Sequence, residues 1–213
     1  DRDRFVQLAL TASIEALEQA NLSTLSNPDR TAVIVSSGIG GINTISEQLG
    51  VLSDKGPSRI SPFLVPMMLA DIASAQISMR FGAKGTNFAP LSACSSAADA
   101  IGISADILLS GAADVVITGG TEAAICPIGI AGFNACKALS KRNDEPEKAS
   151  RPYDADRDGF VISGGGGAIV LEEYEHAKAR GANIYAELTG YGATSDGYDM
   201  VQPSGEGAVR CMN

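Results

Sequence analysis

Two runs of consecutive apolar residues constrain this chain more than anything else in it. TAVIVS at 31–36 and DVVIT at 114–118 show no alternation of apolar and polar positions. A strand with one wet face alternates, so these runs read as strands buried on both faces. Each flows into glycines, Gly38-Ile39-Gly40-Gly41 after the first and Gly119-Gly120 after the second. Around them the apolar residues recur every three to four positions. Phe5, Leu8, Ala12, Ala16 and Ala20 mark one face of a helix over 3–22. The same spacing predicts helices from Gly41 to about Leu52, over 65–81 with Met67, Met68, Ile72 and Ile77, over 127–138 and over 174–180. Further strands are predicted over 167–172 and 184–194, and 140–158 reads as a polar loop. Strands alternating with helices place the chain in the α/β class.

The stretch TNFAPLSACSSAADAIGISADI (86–107) reads as a short strand, a tight Ser92-Ala93-Cys94 turn and a helix starting near Ser95. Ala97, Ile101, Ala105 and Leu108 recur at helical spacing, and Ser92, Ser95 and Ser96 are capping residue types. Cys94 then sits where a helix leaves N–H groups unpaired and its dipole is positive. Such a place makes a thiolate usable, and the same N–H groups can stabilise an oxyanion. A lone cysteine among alanines also fits an inert core position, and this stretch by itself leaves both readings open.

Charge and composition exclude several classes. A net charge of -9 argues against nucleic acid as a partner. No apolar run reaches the roughly 18 residues of a membrane span. The first residues lead into an amphipathic helix and do not read as a signal peptide. Cys94, Cys126, Cys136 and Cys211 show no metal-binding spacing. Free thiols fit a reducing, cytoplasmic compartment. The chain starts within a helical pattern and stops at 209–213 with no cap signal, which predicts a central piece of a longer protein.

Three glycine or acid motifs imitate ligand loops. Gly38-x-Gly40-Gly41 would need glycine at Asn43 to be a dinucleotide fingerprint, and reads instead as a tight turn with close backbone approach. Asp154-x-Asp156-x-Asp158-Gly159 opens like a calcium loop, but the closing glutamate falls at Gly165. The glycines at 164–167 lack the Lys-Ser/Thr of a phosphate loop and suit two backbones passing closely. His176 lies on a charged helix beside no nucleophile and reads as a surface residue.

Taken in order, SSGIGG (36–41), ISPF (60–63), LSAC (91–94), GGTE (119–122), GFNACKALS (132–140), ASRPYDADRDGF (149–160), LEEYEHAKARGANIYAEL (171–188) and DMVQPSGEGAVRCM (199–212) resemble the β-ketoacyl-acyl carrier protein synthases. These are the condensing enzymes of fatty acid elongation. The last of these motifs and SGGGG (163–167) are similar to the synthase I branch; GFNACKALS and RPYD are similar to synthase II.

The resemblance implies a thiolase-like fold, layered αβαβα and built as a homodimer, of which 1–213 would hold most of the first half and the start of the second. It implies that Cys94 takes the acyl chain as a thioester, with its own N–H as an oxyanion donor. Ile39, Ala93, Ala124, Gly129 and Phe133 match the lining of the acyl pocket. Arg59 and Lys137 match a basic patch facing the acyl carrier protein, which delivers acyl and malonyl groups. No cofactor or metal is implied. The family's two histidines and lysine for malonyl decarboxylation match no residue of this chain. A polyketide ketosynthase shares the Cys-Ser-Ser sequence and is the nearest alternative. A non-catalytic dimerisation subunit would not need Cys94, and a cysteine hydrolase would need a histidine base.

Overall fold

The computed structural model describes residues 2–213. In chain order the elements are α1 (Arg4–Gln19), β1 (Thr31–Ser36), α2 (Ile42–Lys55), α3 (Leu64–Met68), α4 (Ile72–Phe81), α5 (Ser96–Leu109), β2 (Val115–Glu122), α6 (Pro127–Ala135), β3 (Gly165–Glu172), α7 (Tyr174–Ala179) and α8 (Glu206–Met212). The sheet order is β1-β2-β3. β1 runs parallel to β2, with Thr31 opposite Val115 and Ser36 opposite Gly120. β3 returns antiparallel along β2, with Glu172 opposite Val115.

The unbroken apolar runs now have a physical reason. Val33, Val35, Val115 and Ile117 face α1 and α4, where Phe5, Leu10, Leu17, Ala73 and Ile77 complete one core. Ala32, Ile34 and Val116 face the other way, against Ala100 of α5 and Ala113. Every residue of β1 is buried. Helices therefore cover both faces of a parallel pair, so apolar residues suit both faces of its strands.

Four local features differ from the sequence expectations. The helix over 65–81 is two helices, because Leu69 is extended at φ -65, ψ 134. The break is stabilised from outside: Gly41 N donates to Met68 O at 3.2 Å. A Cβ on Gly41 would lie 2.3 Å from Met67 O, so only glycine lets the two backbones meet. The short strand before Cys94 reduces to a single bridge between Asn87 and Val33. Helix α6 stops at Ala135, and Lys137 just beyond it takes a left-handed φ of 57. The long strand over 184–194 does not form: among the described residues no strand runs beside it, and a strand gains its stability from a paired neighbour. In turn α8 appears where no cap was read, entered through Gly205 in the left-handed region.

Beyond the sheet, an ion-pair network closes the far end of β3. Arg180 donates from Nε and Nη2 to the two oxygens of Glu172 at 2.7 and 2.6 Å, and from Nη1 to Ala20 O at 2.9 Å. His176 Nδ1 lies 2.6 Å from Glu172 Oε1. Burial pushes the Glu172 carboxyl up, but the hydrogen bonds from Arg180 and His176 outweigh it and hold the group below its ordinary 4.5. A depressed carboxyl stabilises the fold fully above its unfolded value, and that contribution is lost as pH falls through the lower folded value. Glu172→Gln should therefore destabilise the protein by about 3 kcal/mol at neutral pH, because Arg180 loses its partner. The difference from wild type should shrink in urea melts carried out below pH 4.5.

Candidate active site

The loop between α4 and α5 ends in a single 3-10 turn, Ala93–Ser95, from which α5 starts. Ala93 has φ 52, a left-handed conformation that an alanine adopts only under constraint from its surroundings. The constraint is visible. Ser96, buried at the head of α5, donates from Oγ to Ala93 O at 2.7 Å and accepts from Ser92 N at 2.9 Å. The Ser92 hydroxyl donates to Asp99, one turn further along, and the Tyr191 hydroxyl donates to the same carboxylate. These two donors hold the Asp99 carboxyl below its usual range, and the bond to Asp99 pushes the Tyr191 phenol up to about 12.

Cys94 is exposed on this turn. Its backbone N–H meets no acceptor among the described residues, so it stays available to a ligand oxygen. The thiol faces a cleft of about 1230 Å³ whose accessible wall is mostly apolar. Ile39, Ala93, Ala124 and Phe133 line it with Cys94. Gly129 does not reach the wall; it is buried behind Ala124, whose carbonyl a Cβ there would approach to 2.2 Å. Phe133 meets Phe160 edge to face, with ring centres 6.2 Å apart. Arg59 and Lys137 are exposed, the first on a 3-10 turn after α2 and the second just past α6.

The sequence reading missed three contributors. The segment 150–163, read as polar loop as far as 158 and quoted as a motif as far as 160, supplies Tyr153, Phe160 and Ile162 to the cleft. Three consecutive apolar residues, FVI after Gly159, were the available signal. Asp99 is the one acid in the first turn of an otherwise alanine-rich helix. Glu122, quoted only as part of a motif, turns its carboxylate onto the loop that carries Ile39. His176 stays with Glu172 and does not line the cleft. The acids that imitated a calcium loop are taken up locally: Asp158 accepts from Ser140 Oγ and Lys141 N, and Asp154 accepts from Asp156 N and Arg151. No helix among the described residues is long and apolar enough to cross a membrane.

Comparison with known proteins agrees with this geometry. The chain is 51% identical over 215 residues to the 3-oxoacyl-[acyl-carrier-protein] synthase 2 of Rhizobium meliloti (strain 1021), covering 99% of this chain and 51% of that protein. It is 47% identical over 207 residues to the protein of the same name from Vibrio cholerae serotype O1, covering 97% and 50%. A β-ketoacyl synthase from Burkholderia phymatum STM815 superposes with a TM-score of 0.91 at 34% identity, covering 99% of this chain and 52% of that one. A type II PKS ketosynthase, solved in complex with its acyl-carrier protein and bound to the hexaketide, superposes with a TM-score of 0.87 at 32% identity, covering 98% and 53%. These ketosynthases have the thiolase-like fold, and this chain shares it. The chain spans about half the length of the curated relatives it matches. The model of the β-ketoacyl synthase N-terminal domain matches residues 1–177, and the chain belongs to that family.

Proposed function

We propose that the full-length protein is a β-ketoacyl-acyl carrier protein synthase that elongates fatty acyl chains by decarboxylative condensation. The observation that carries this reading is Cys94, held on a strained turn at the head of α5 and opening into an apolar cleft. In the first half-reaction the Cys94 thiolate attacks the carbonyl carbon of an acyl thioester. The carbonyl oxygen takes the negative charge and the Cys94 N–H donates to it. The bond to the carrier thiol breaks, the carrier leaves as a thiol with a solvent proton, and the acyl group stays on Cys94. In the second, a malonyl thioester loses carbon dioxide and its enolate carbon attacks the acyl-Cys94 carbonyl. A carbon–carbon bond forms, the bond to Cys94 breaks, and the thiolate is restored.

Ile39, Ala93, Ala124 and Phe133 form the wall of the alkyl slot in this reading, and Gly129 lets α6 pack close behind Ala124. Each methylene they enclose is worth about 0.8 kcal/mol. Arg59 and Lys137 meet the acidic carrier protein. Residues 1–213 form part of one condensing domain, and the whole protein is a homodimer. The names of the relatives support a fatty acid substrate over a polyketide one, and a carrier-protein complex of one structural neighbour supports the carrier as partner.

The test is mass spectrometry of acyl-Cys94 in the full-length protein, carried out beside release of labelled carbon dioxide from malonyl-acyl carrier protein. Both are expected, and acylation on another cysteine would overturn the assignment. The 213-residue chain alone is expected to release no carbon dioxide above background, since His176 is engaged with Glu172 away from the cleft. Within the slot, Ile39→Phe adds volume to a close-packed wall. It should lower kcat/KM for the longest accepted chain by on the order of tenfold to a hundredfold while sparing the shortest. An unchanged chain-length profile would remove Ile39 from the pocket.

A further inference from the structure

Glu122, the last residue of β2, commits both carboxylate oxygens to the turn between β1 and α2. Oε2 accepts from Gly38 N at 2.9 Å and from Ile39 N at 3.0 Å. Oε1 accepts from Ser37 Oγ at 3.3 Å, and Ser37 Oγ accepts from Gly40 N at 2.9 Å. The turn also touches the cysteine loop: a Cβ on Gly38 would lie 3.1 Å from Glu122 Oε2 and 3.2 Å from Ala93 O. Glu122, Gly38, Ile39 and Ala93 all line the cleft. Among the described residues no cation pairs with Glu122, so its hydrogen-bonding capacity goes to backbone N–H groups and one hydroxyl. Two N–H donors converging on one carboxylate oxygen make charge-assisted bonds, which fix geometry more firmly than neutral ones.

We propose that Glu122 is a positioning residue for chain-length selection, holding Ile39 at its place in the wall of the acyl slot. The proposal rests on the reading of the cleft as an acyl slot. Glu122 touches neither the acyl chain nor the thioester; it acts through the Gly38–Ile39 backbone. Removing it frees the turn, so the wall at Ile39 no longer stands at one depth. A wall displaced by about one methylene changes discrimination by on the order of tenfold.

The experiment compares kcat/KM of the full-length protein for hexanoyl- and tetradecanoyl-acyl carrier protein. Glu122→Ala should shift the ratio of the two by on the order of tenfold. Glu122→Gln keeps a carbonyl acceptor for Gly38 and Ile39 and should restore the native ratio to within about threefold. In an Ile39→Ala background, Glu122→Ala should add no further shift, because the side chain it positions has gone. Equal loss on both substrates, or an unchanged ratio, means that Glu122 only supports the fold and overturns the proposal. Should Glu122→Ala fail to fold, Glu122→Asp, which keeps the charge and withdraws it by one methylene, is read in the same way. If neither folds, Glu122 is a folding residue and the proposal falls. Failure of the acyl-slot reading itself looks different: wild-type Cys94 would take no acyl group from either thioester.

Discussion

Cys94→Ala in the full-length protein should abolish acyl-enzyme formation and lower condensation by about 10⁴-fold or more, the scale of losing a covalent nucleophile. The side chain is exposed on its turn, so no cavity forms and the melting temperature should stay within a degree or two of wild type. The turn itself does not depend on sulfur, since Ser96 and Ser92 hold it through backbone and hydroxyl groups. Limiting iodoacetamide checks the same point without a mutation. Cys126 is buried. Cys136 is exposed but caps the C-terminal end of α6, where the helix dipole opposes negative charge, and Cys211 donates its S–H to Gly192 O at 3.0 Å. Cys126 stands at the N-terminus of α6 but is out of reach of the reagent; of the exposed thiols only Cys94 stands at a helix N-terminus, and it should be alkylated first. Equal labelling of Cys94 and Cys136 would remove the reason for choosing Cys94 as the nucleophile.

Gly119→Ala should be nearly as damaging, though it lies inside the sheet. Gly119 has φ 145, and a Cβ there would sit 2.1 Å from Gly167 O and 3.0 Å from Ala168 Cα. A single methyl group must therefore push β3 off β2. The expected loss is more than about 3 kcal/mol, combining backbone strain with overlap against a rigid partner. Function should fall with it, because Thr121 and Glu122 follow on the same strand and anchor its end beside the cleft. Thr121 Oγ1 donates to Phe5 O at 2.7 Å, and Glu122 holds the Ile39 turn. Gly50 supplies the control. It lies within α2 with nothing within 4 Å of its Cβ position, so Gly50→Ala should stabilise by about 0.5–1 kcal/mol. Urea midpoints of the two variants should move in opposite directions. A Gly119→Ala midpoint equal to wild type would mean that β2 and β3 do not pack as described.

What could be read in advance follows from whether a feature is local. The apolar runs at 31–36 and 114–118 reported burial on both faces because each residue of a strand sees one face or the other. The cysteine turn was legible because capping residues cluster within four positions of it. The break at Leu69 was not, since it depends on Gly41, nearly thirty residues earlier, taking the Met68 carbonyl. The spacing over 65–81 suits a helix throughout, and tertiary contact overrides it. The same holds for Glu122. A carboxylate that bonds to backbone N–H groups leaves no pattern at the positions it binds, because every residue but proline has an N–H. Residues 184–194 show the reverse case, in which strand-like composition finds no neighbour to pair with among the described residues. Gly129 matched a pocket position by resemblance, but a residue without a side chain on the wall acts only through what it lets approach.

The hydrogen bond from Tyr191 to Asp99 joins residues 92 positions apart. During synthesis that separation becomes a delay. At about 5–20 residues per second, Tyr191 emerges roughly five to eighteen seconds after Asp99. In that interval Asp99 has only the Ser92 hydroxyl, and the turn around Cys94 lacks one of its anchors. Sheet strands β1 and β2, the α5 helix and the thiol are all available earlier. The turn around the thiol thus locks later than the strands and helix it joins, and a nascent chain carries its thiol on a loosely held loop until Tyr191 arrives.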